Sequence, residues 1–183
     1  MGRRAVFLDR DGVINEAIVR EGKPYPPVGI QETAIAADVE PSLKRLKRLG
    51  FLLLVVTNQP DVGRGARGRD EVEEIHHFLS ERLPLDDFFV CYHDDADQCT
   101  CRKPLPGLLL DAASRYGVDL ARSYMIGDRW RDIDAGAAAG CRTIMIDRAY
   151  AERRPSVLPD IGVGSITEAV DWILMQEIVA RGA

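Results

Sequence analysis

Residues 51–57, Phe-Leu-Leu-Leu-Val-Val-Thr, form an apolar run with no polar residue at alternate positions. A strand wetted on one face alternates apolar and polar residues. A run without alternation predicts a strand buried on both faces, inside a parallel sheet covered by helices. Shorter runs of the same kind predict strands over Ala5–Asp9, Phe88–Tyr92, Ser123–Ile126 and Arg142–Ile146. Helical patterns separate them. One opens at Pro41, carries Leu43, Leu46 and Leu49 on one face, and stops at Gly50. The others cover Asp70–Arg82 (Val72, Ile75, Phe78 and Leu79 inward), Leu105–Tyr116, Ile133–Ala139 and Ser165–Val179. The last should bury Ile166, Val170, Ile173, Leu174 and Ile178, while His76 and His77 read as surface or edge residues of the second helix. Residues 16–36, 61–69 and 148–164 read as irregular, the first and last through their Pro and Gly content. This alternation predicts one doubly wound α/β domain over residues 1–183, with a parallel sheet of about five strands. Ligands of such sheets bind at the carboxyl ends of the strands.

The predicted strand ends are where the polar residues concentrate. The first strand runs into Asp9-Arg10-Asp11-Gly12. Two acids at i and i+2 of an extended chain lie on one side, and like charges so close call for a cation, for which a hard divalent metal suits carboxylate oxygen. One carboxylate could then attack an electrophile while the other moves a proton. The second strand ends in Thr57-Asn58-Gln59, a hydroxyl and two amides suited to phosphoryl oxygens. Arg102-Lys103-Pro104 places a lysine that could neutralise a phosphate. The fourth strand ends in Gly127-Asp128, and if it lies beside the first, Asp128 reaches the cation near Asp9 and Asp11. Asp132 is a supporting candidate. Each piece alone has a plainer reading: a turn rich in Asp and Gly, a solvated basic pair, a helix cap.

The cysteines add a second metal. Cys91-x-His93 and Cys99-x-Cys101 provide three thiolates and one imidazole, the donor set of a closed tetrahedral structural zinc site. Cys99 and Cys101 are too near in sequence to pair comfortably as a disulfide. The zinc loop, residues 91–101, abuts Arg102-Lys103 and should hold those cations in place. Cys141 lies beside a strand and reads as a small buried apolar residue.

Composition limits the partners. The formal net charge of −5 is unlike the basic footprint of nucleic-acid binders. No apolar run approaches the roughly 18 residues of a membrane span, and the first residues lack the apolar stretch of a signal peptide. The expectation is a cytoplasmic monomer acting on a small molecule, without nucleic acid or membrane.

Asp9-Arg10-Asp11-Gly12, Thr57-Asn58-Gln59, Lys103-Pro104 and Gly127-Asp128-x-x-x-Asp132, taken in order, resemble the haloacid dehalogenase superfamily of phosphotransferases. With the zinc loop before Cys101-Arg102-Lys103-Pro104, they are similar to its histidinol-phosphate phosphatase-like subgroup. The resemblance implies strand order 5-4-1-2-3 and a Mg²⁺-dependent phosphohydrolase. In it Asp9 is the nucleophile that forms an aspartyl-phosphate, and Asp11 the general acid/base. Thr57 and Lys103 hold the phosphoryl group, and Asp9, the Asp11 carbonyl oxygen and Asp128 bind Mg²⁺. Asn58, Gln59, Arg64 and Arg102 are the expected substrate binders. The chain departs from the family at Pro60-Asp61, where Ser-Gly is common. The intervals between motifs leave no room for a large cap, so the cleft should be open. The substrate class implied is a phosphorylated sugar such as a heptose bisphosphate. Histidinol phosphate is the alternative within the enzyme class, and a non-catalytic, zinc-stapled phosphate-binding module the alternative outside it.

Overall fold

Ala5–Leu8 (β1) is four apolar residues, all fully buried. On one side β1 pairs in parallel with Leu52–Asn58 (β4), and on the other with Tyr124–Gly127 (β6), so that Phe7 lies between Leu54 and Met125. Asp87–Cys91 (β5) extends the sheet beyond β4, and Arg142–Ile146 (β7) extends it beyond β6. These five strands stand in the order expected from the resemblance. The computed structural model describes residues 2–182; residues 1 and 183, included in the expected domain, lie outside the described residues.

Successive residues of β1 face opposite sides of the sheet, and each face is covered. Val6 and Leu8 pack with Leu43 and Leu46 of Val39–Arg48 (α1), Ile75 and Leu79 of Arg69–Ser80 (α3), and Val170 and Ile173 of Ile166–Gly182 (α6). Ala5 and Phe7 pack with Leu109 and Ala112 of Gly107–Tyr116 (α4), and Ala135 and Ala139 of Trp130–Ala139 (α5). The layers are those of a doubly wound α/β sheet, and no described helix is long and apolar enough to cross a membrane.

The elements of the structure differ from the sequence expectations in several places. Ile161–Val163 (β8), inside the stretch expected to be a loop, pairs in parallel with β7 as a sixth strand. Three residues are too few for a periodic signal; pairing with β7 makes the strand, aided by the Asp160 carboxylate, which accepts from the Thr143 N–H at 2.7 Å. Within residues 16–36, Ile18–Arg20 (β2) and Lys23–Tyr25 (β3) form an antiparallel hairpin. Its two-residue turn, Glu21-Gly22, has positive φ at both positions, which matches the twist of a hairpin. Pro60–Gly63 (α2) is a short helix in what reads as loop. His76 is buried rather than at the surface. Ile178 is 71% exposed, lying toward the end of α6 beyond the positions that pack on the core.

Among the described residues no large cap covers the sheet. The hairpin stands beside the cleft at the carboxyl edge instead, where Asp9, Thr57 and Asp128 lie at the ends of β1, β4 and β6, and Cys91 at the end of β5.

Candidate active site

Asp9 is the first residue beyond β1. Its N–H donates to the Ile126 carbonyl of β6 at 3.0 Å, which fixes the carboxylate beside the end of that strand. There it meets Asp128 and Asp132, each offering a carboxylate oxygen within 4.8 Å of the others. Lys103 enters from the other side, its buried Nζ donating to Asp9 Oδ1 at 2.8 Å and to the Val56 carbonyl at 2.7 Å, and lying 2.6 Å from Asp132 Oδ1. Burial, then Asp132, pushes the Asp9 carboxyl up to about 6, with Lys103 opposing. Burial, then Asp9 and Asp132, raises Asp128 well above the ordinary carboxylate range. Burial alone would lower Lys103, but Asp132 and Asp9 outweigh it and hold the ammonium charged.

Both carboxylate oxygens of Asp128 are buried without a well-formed hydrogen bond, although the Tyr150 hydroxyl lies close by. Buried polar groups are almost always satisfied, so a carboxylate left short of donors among two others fits a cation. Gly12 has φ +96°, and a Cβ there would fall 1.7 Å from Asp128 Oδ2. The backbone thus comes closer to the acidic cluster than any side chain would allow. The donors are all oxygen, the set that suits a hard divalent cation such as Mg²⁺.

Asp11 does not share this cluster through its carboxylate, contrary to the reading of two acids on one side. The chain leaves the strand at Leu8 and turns through Gly12, with the Ile14 and Asn15 N–H groups both donating to the Arg10 carbonyl. The i, i+2 geometry of a strand therefore ends before Asp11. Its carboxylate accepts from Arg10 Nε at 3.1 Å and Nη2 at 2.9 Å, Asn15 Nδ2 at 3.0 Å and Gln59 Nε2 at 2.9 Å. Burial would raise the Asp11 carboxyl, but Arg10, Asn15 and Gln59 more than offset that and hold it below the ordinary range.

The amides at the end of β4 make contacts within the protein. Asn58 donates to the Lys103 carbonyl at 3.0 Å and accepts from its N–H at 3.1 Å, clamping the lysine's backbone. Gln59, besides Asp11, donates to Thr57 Oγ1 at 3.0 Å. Thr57, Asn58, Asp9, Asp11, Lys103 and Asp132 line a cleft of about 280 Å³. Pro24 and Tyr25 of the hairpin, with the adjacent Pro26, close one side, and Pro60, Asp61, Arg64, Arg102, Arg129 and Arg131 form the rim. Arg64 pairs with Asp94 at 2.7 Å and Asp61 at 3.3 Å, Arg102 with Asp95 at 2.7 Å, and Arg129 with Glu152. Arg129 and Arg131 were not legible beforehand, since arginines at a helix start are ordinary solvated residues. Nor was the full burial of Arg10. His76 had a signal: it lies four residues after Val72 and three before Leu79, on the inward stripe of α3.

The second cluster lies at the end of β5. Cys91 Sγ is 3.7 Å from Cys99 Sγ and 3.3 Å from Cys101 Sγ, Cys99 and Cys101 are 3.5 Å apart, and His93 Nδ1 is 3.3 Å from Cys101 Sγ. Such separations are those of ligands gathered at the corners of one tetrahedron, about 3.7 Å apart for zinc–sulfur bonds of about 2.3 Å. None of the three is in a disulfide. Asp94 and Asp95, inside this loop, are the partners of Arg64, Arg102 and Arg131, so the loop reaches the rim through its acids as well as through the chain continuity to Lys103. Cys141 is buried, as expected.

A family model described as haloacid dehalogenase-like hydrolase matches residues 17–140. The D-glycero-beta-D-manno-heptose-1,7-bisphosphate 7-phosphatase of Helicobacter pylori (strain J99) is 34% identical over 179 residues, covering 93% of this chain and 97% of its own length. The Escherichia coli K12 protein of the same name is 32% identical over 182 residues, covering 93% and 87%. Among solved structures, the D,D-heptose 1,7-bisphosphate phosphatase from B. bronchiseptica, complexed with magnesium and phosphate, is similar with a TM-score of 0.75 at 26% identity, covering 94% of this chain and 99% of that one. Relatives matched over nearly their whole length, and a family match over most of the chain, establish that this protein belongs to the haloacid dehalogenase-like hydrolases and is a phosphoric monoester hydrolase.

Proposed function

We propose that the protein is a Mg²⁺-dependent phosphatase of a small phosphorylated sugar, of the D-glycero-D-manno-heptose 1,7-bisphosphate kind, working through an aspartyl-phosphate. The observation that carries this reading is the buried Asp9 carboxylate held between Lys103 Nζ at 2.8 Å and the buried Asp128, at the floor of an open cleft. Its names and coverage make the heptose phosphatases the best guide to the substrate.

Asp9 attacks phosphorus. The bond from phosphorus to the ester oxygen breaks as the bond to the Asp9 oxygen forms. Asp11, which Arg10, Asn15 and Gln59 hold ionised in the free cleft, takes up a proton as the anionic substrate enters, gives it to the departing alkoxide, and then takes one from the water that hydrolyses the aspartyl-phosphate. Thr57 Oγ1 and Lys103 Nζ hold the phosphoryl oxygens, while Asn58 and Gln59 set the positions of Lys103 and Asp11. Asp9, Asp128 and the Asp11 carbonyl oxygen would hold Mg²⁺, with Asp132 beside them. Bound there, the ion offsets the repulsion between an anionic nucleophile and an anionic phosphate. Cys91, His93, Cys99 and Cys101 hold one structural zinc. Arg64, Arg102, Arg129 and Arg131 face the remainder of the substrate from the rim.

Purified protein incubated separately with the heptose bisphosphate and with histidinol phosphate tests the reading. Release of one phosphate from the sugar, dependent on Mg²⁺ and with the higher kcat/KM, is expected. A higher kcat/KM on histidinol phosphate overturns the sugar assignment, and no release from either overturns the function.

A further inference from the structure

We infer that Glu73, His76 and Arg10 form a hydrogen-bonded chain, running from the surface into the core, that positions the Asp11 carboxylate, with His76 as the residue that holds the Arg10 fork in place. The inference rests on Asp11 being the group that transfers protons.

Arg10 is fully buried, an unusual place for a guanidinium. Two of its nitrogens form a fork on the two Asp11 oxygens, at 3.1 and 2.9 Å. The third, Nη1, faces His76 Nε2 at 3.1 Å. A guanidinium has no acceptor, so Nε2 supplies the lone pair and the imidazole proton sits on Nδ1. That nitrogen faces Glu73 Oε2 at 3.3 Å, and the other Glu73 oxygen accepts from the Tyr92 hydroxyl, between two ligands of the cysteine–histidine cluster. The His76 ring is stacked on Phe88, centroids 4.6 Å apart and planes 22° from parallel, and cannot turn without repacking β5. Burial, then the neighbouring Arg10, lowers His76 to about 4, in keeping with a neutral ring.

A histidine that merely filled space would need no acceptor aimed at Arg10, and a leucine would serve. With an apolar residue at 76, Nη1 is left buried without a partner. The guanidinium must then rotate toward another acceptor, and it can do so only by loosening the fork on Asp11. Proton transfer requires Asp11 to sit at hydrogen-bond reach of the ester oxygen, so looseness acts on that step.

The test separates proton transfer from everything else by the choice of leaving group. A sugar phosphate expels an alkoxide that needs a proton, whereas 2,4-dinitrophenyl phosphate expels a phenolate that does not. The value of kcat/KM reports the transfer to Asp9 alone, in which the leaving group departs. His76→Leu should lower kcat/KM for the sugar phosphate about 10- to 100-fold, a part of the ~10²–10⁴ that general acid–base catalysis supplies. It should leave the aryl ester within about twofold, with the loss in kcat rather than KM. His76→Gln, which keeps an acceptor and a donor, should recover most of the difference. Glu73→Ala, at a half-exposed site where folding is not at risk, should show the same selectivity on a smaller scale. Equal losses on both esters, or an unchanged ratio in Glu73→Ala should His76→Leu not fold, overturn the inference. Wild-type protein that hydrolyses neither ester would instead remove the phosphatase reading on which it rests.

Discussion

At the scale of single residues, Gly12 joins backbone conformation to chemistry. Its φ of +96° and the 1.7 Å separation of a built Cβ from Asp128 Oδ2 leave no room for alanine. Gly12→Ala should cost about 1–2 kcal/mol for the backbone alone, and displace Asp128. Mg²⁺ affinity should fall about 10- to 100-fold, the scale seen when support around a metal ligand is lost. Thermal unfolding with and without Mg²⁺ reads both effects, and a variant titrating like wild type would contradict the account. Asp9→Asn should fold normally yet release no phosphate, since an amide is no nucleophile. Circular dichroism alongside a phosphate assay decides this, and near-normal turnover by a folded variant would remove Asp9 from its role.

At the scale of elements, the loop between β5 and α4 is held by its ligands rather than by burial. Cys99 and Cys101 are only partly buried, and Asp94 and Asp95 are tied to rim arginines by ion pairs that each have one exposed member. Surface pairs of this kind are worth about 0–1 kcal/mol each, while zinc orders small peptides with about 10–16 kcal/mol. Protein purified without added metal should contain one equivalent of zinc that persists when Mg²⁺ is stripped, because thiolates and imidazole are softer than carboxylates. Cys99→Ala should lose that zinc, exchange its amides rapidly over residues 92–103, and lose activity as Lys103 loses its fixed backbone. Its melting temperature should fall only modestly, because Cys91 alone of the ligands lies within the core, and Cys99 and Cys101 pack at its edge. Full activity in zinc-free protein would leave the four ligands without this role.

At the scale of the whole molecule, the crowded acids couple folding, pH and metal. Asp9 is raised to about 6 from 3.8, so between those values the folded protein binds the extra proton. The stability of metal-free protein should therefore fall as pH rises from about 4 to 6. Mg²⁺ competes for the same carboxylates, so the increase in melting temperature that it produces should be larger at pH 7.5 than at pH 5. At a hundredfold excess over Kd the gain is about 2.7 kcal/mol, or about 5–10 °C for a chain this long; calorimetry at the two pH values measures it. An increase that shrinks with pH would mean that these acids do not hold the ion.

What the sequence determined by itself was local: five apolar runs, the polar residues that end them, and a cysteine–histidine spacing whose donors lie within one short loop. Burial on both faces writes itself into a run of Leu and Val, and a strand end is marked by the first residue that cannot be buried. The tertiary structure decided what depends on adjacency and on the path of the backbone. Pairing of β1 with β6 brings Asp9 to Asp128 and Asp132, while the turn through Gly12 carries the Asp11 carboxylate away to Arg10. His76 and His77 are neighbours of one type; the stripe through Val72 and Leu79 marks the first as inward, and the packing of α3 against β5 buries it and leaves the second exposed. β8 exists because β7 offers it an edge, an energy that three residues do not carry alone.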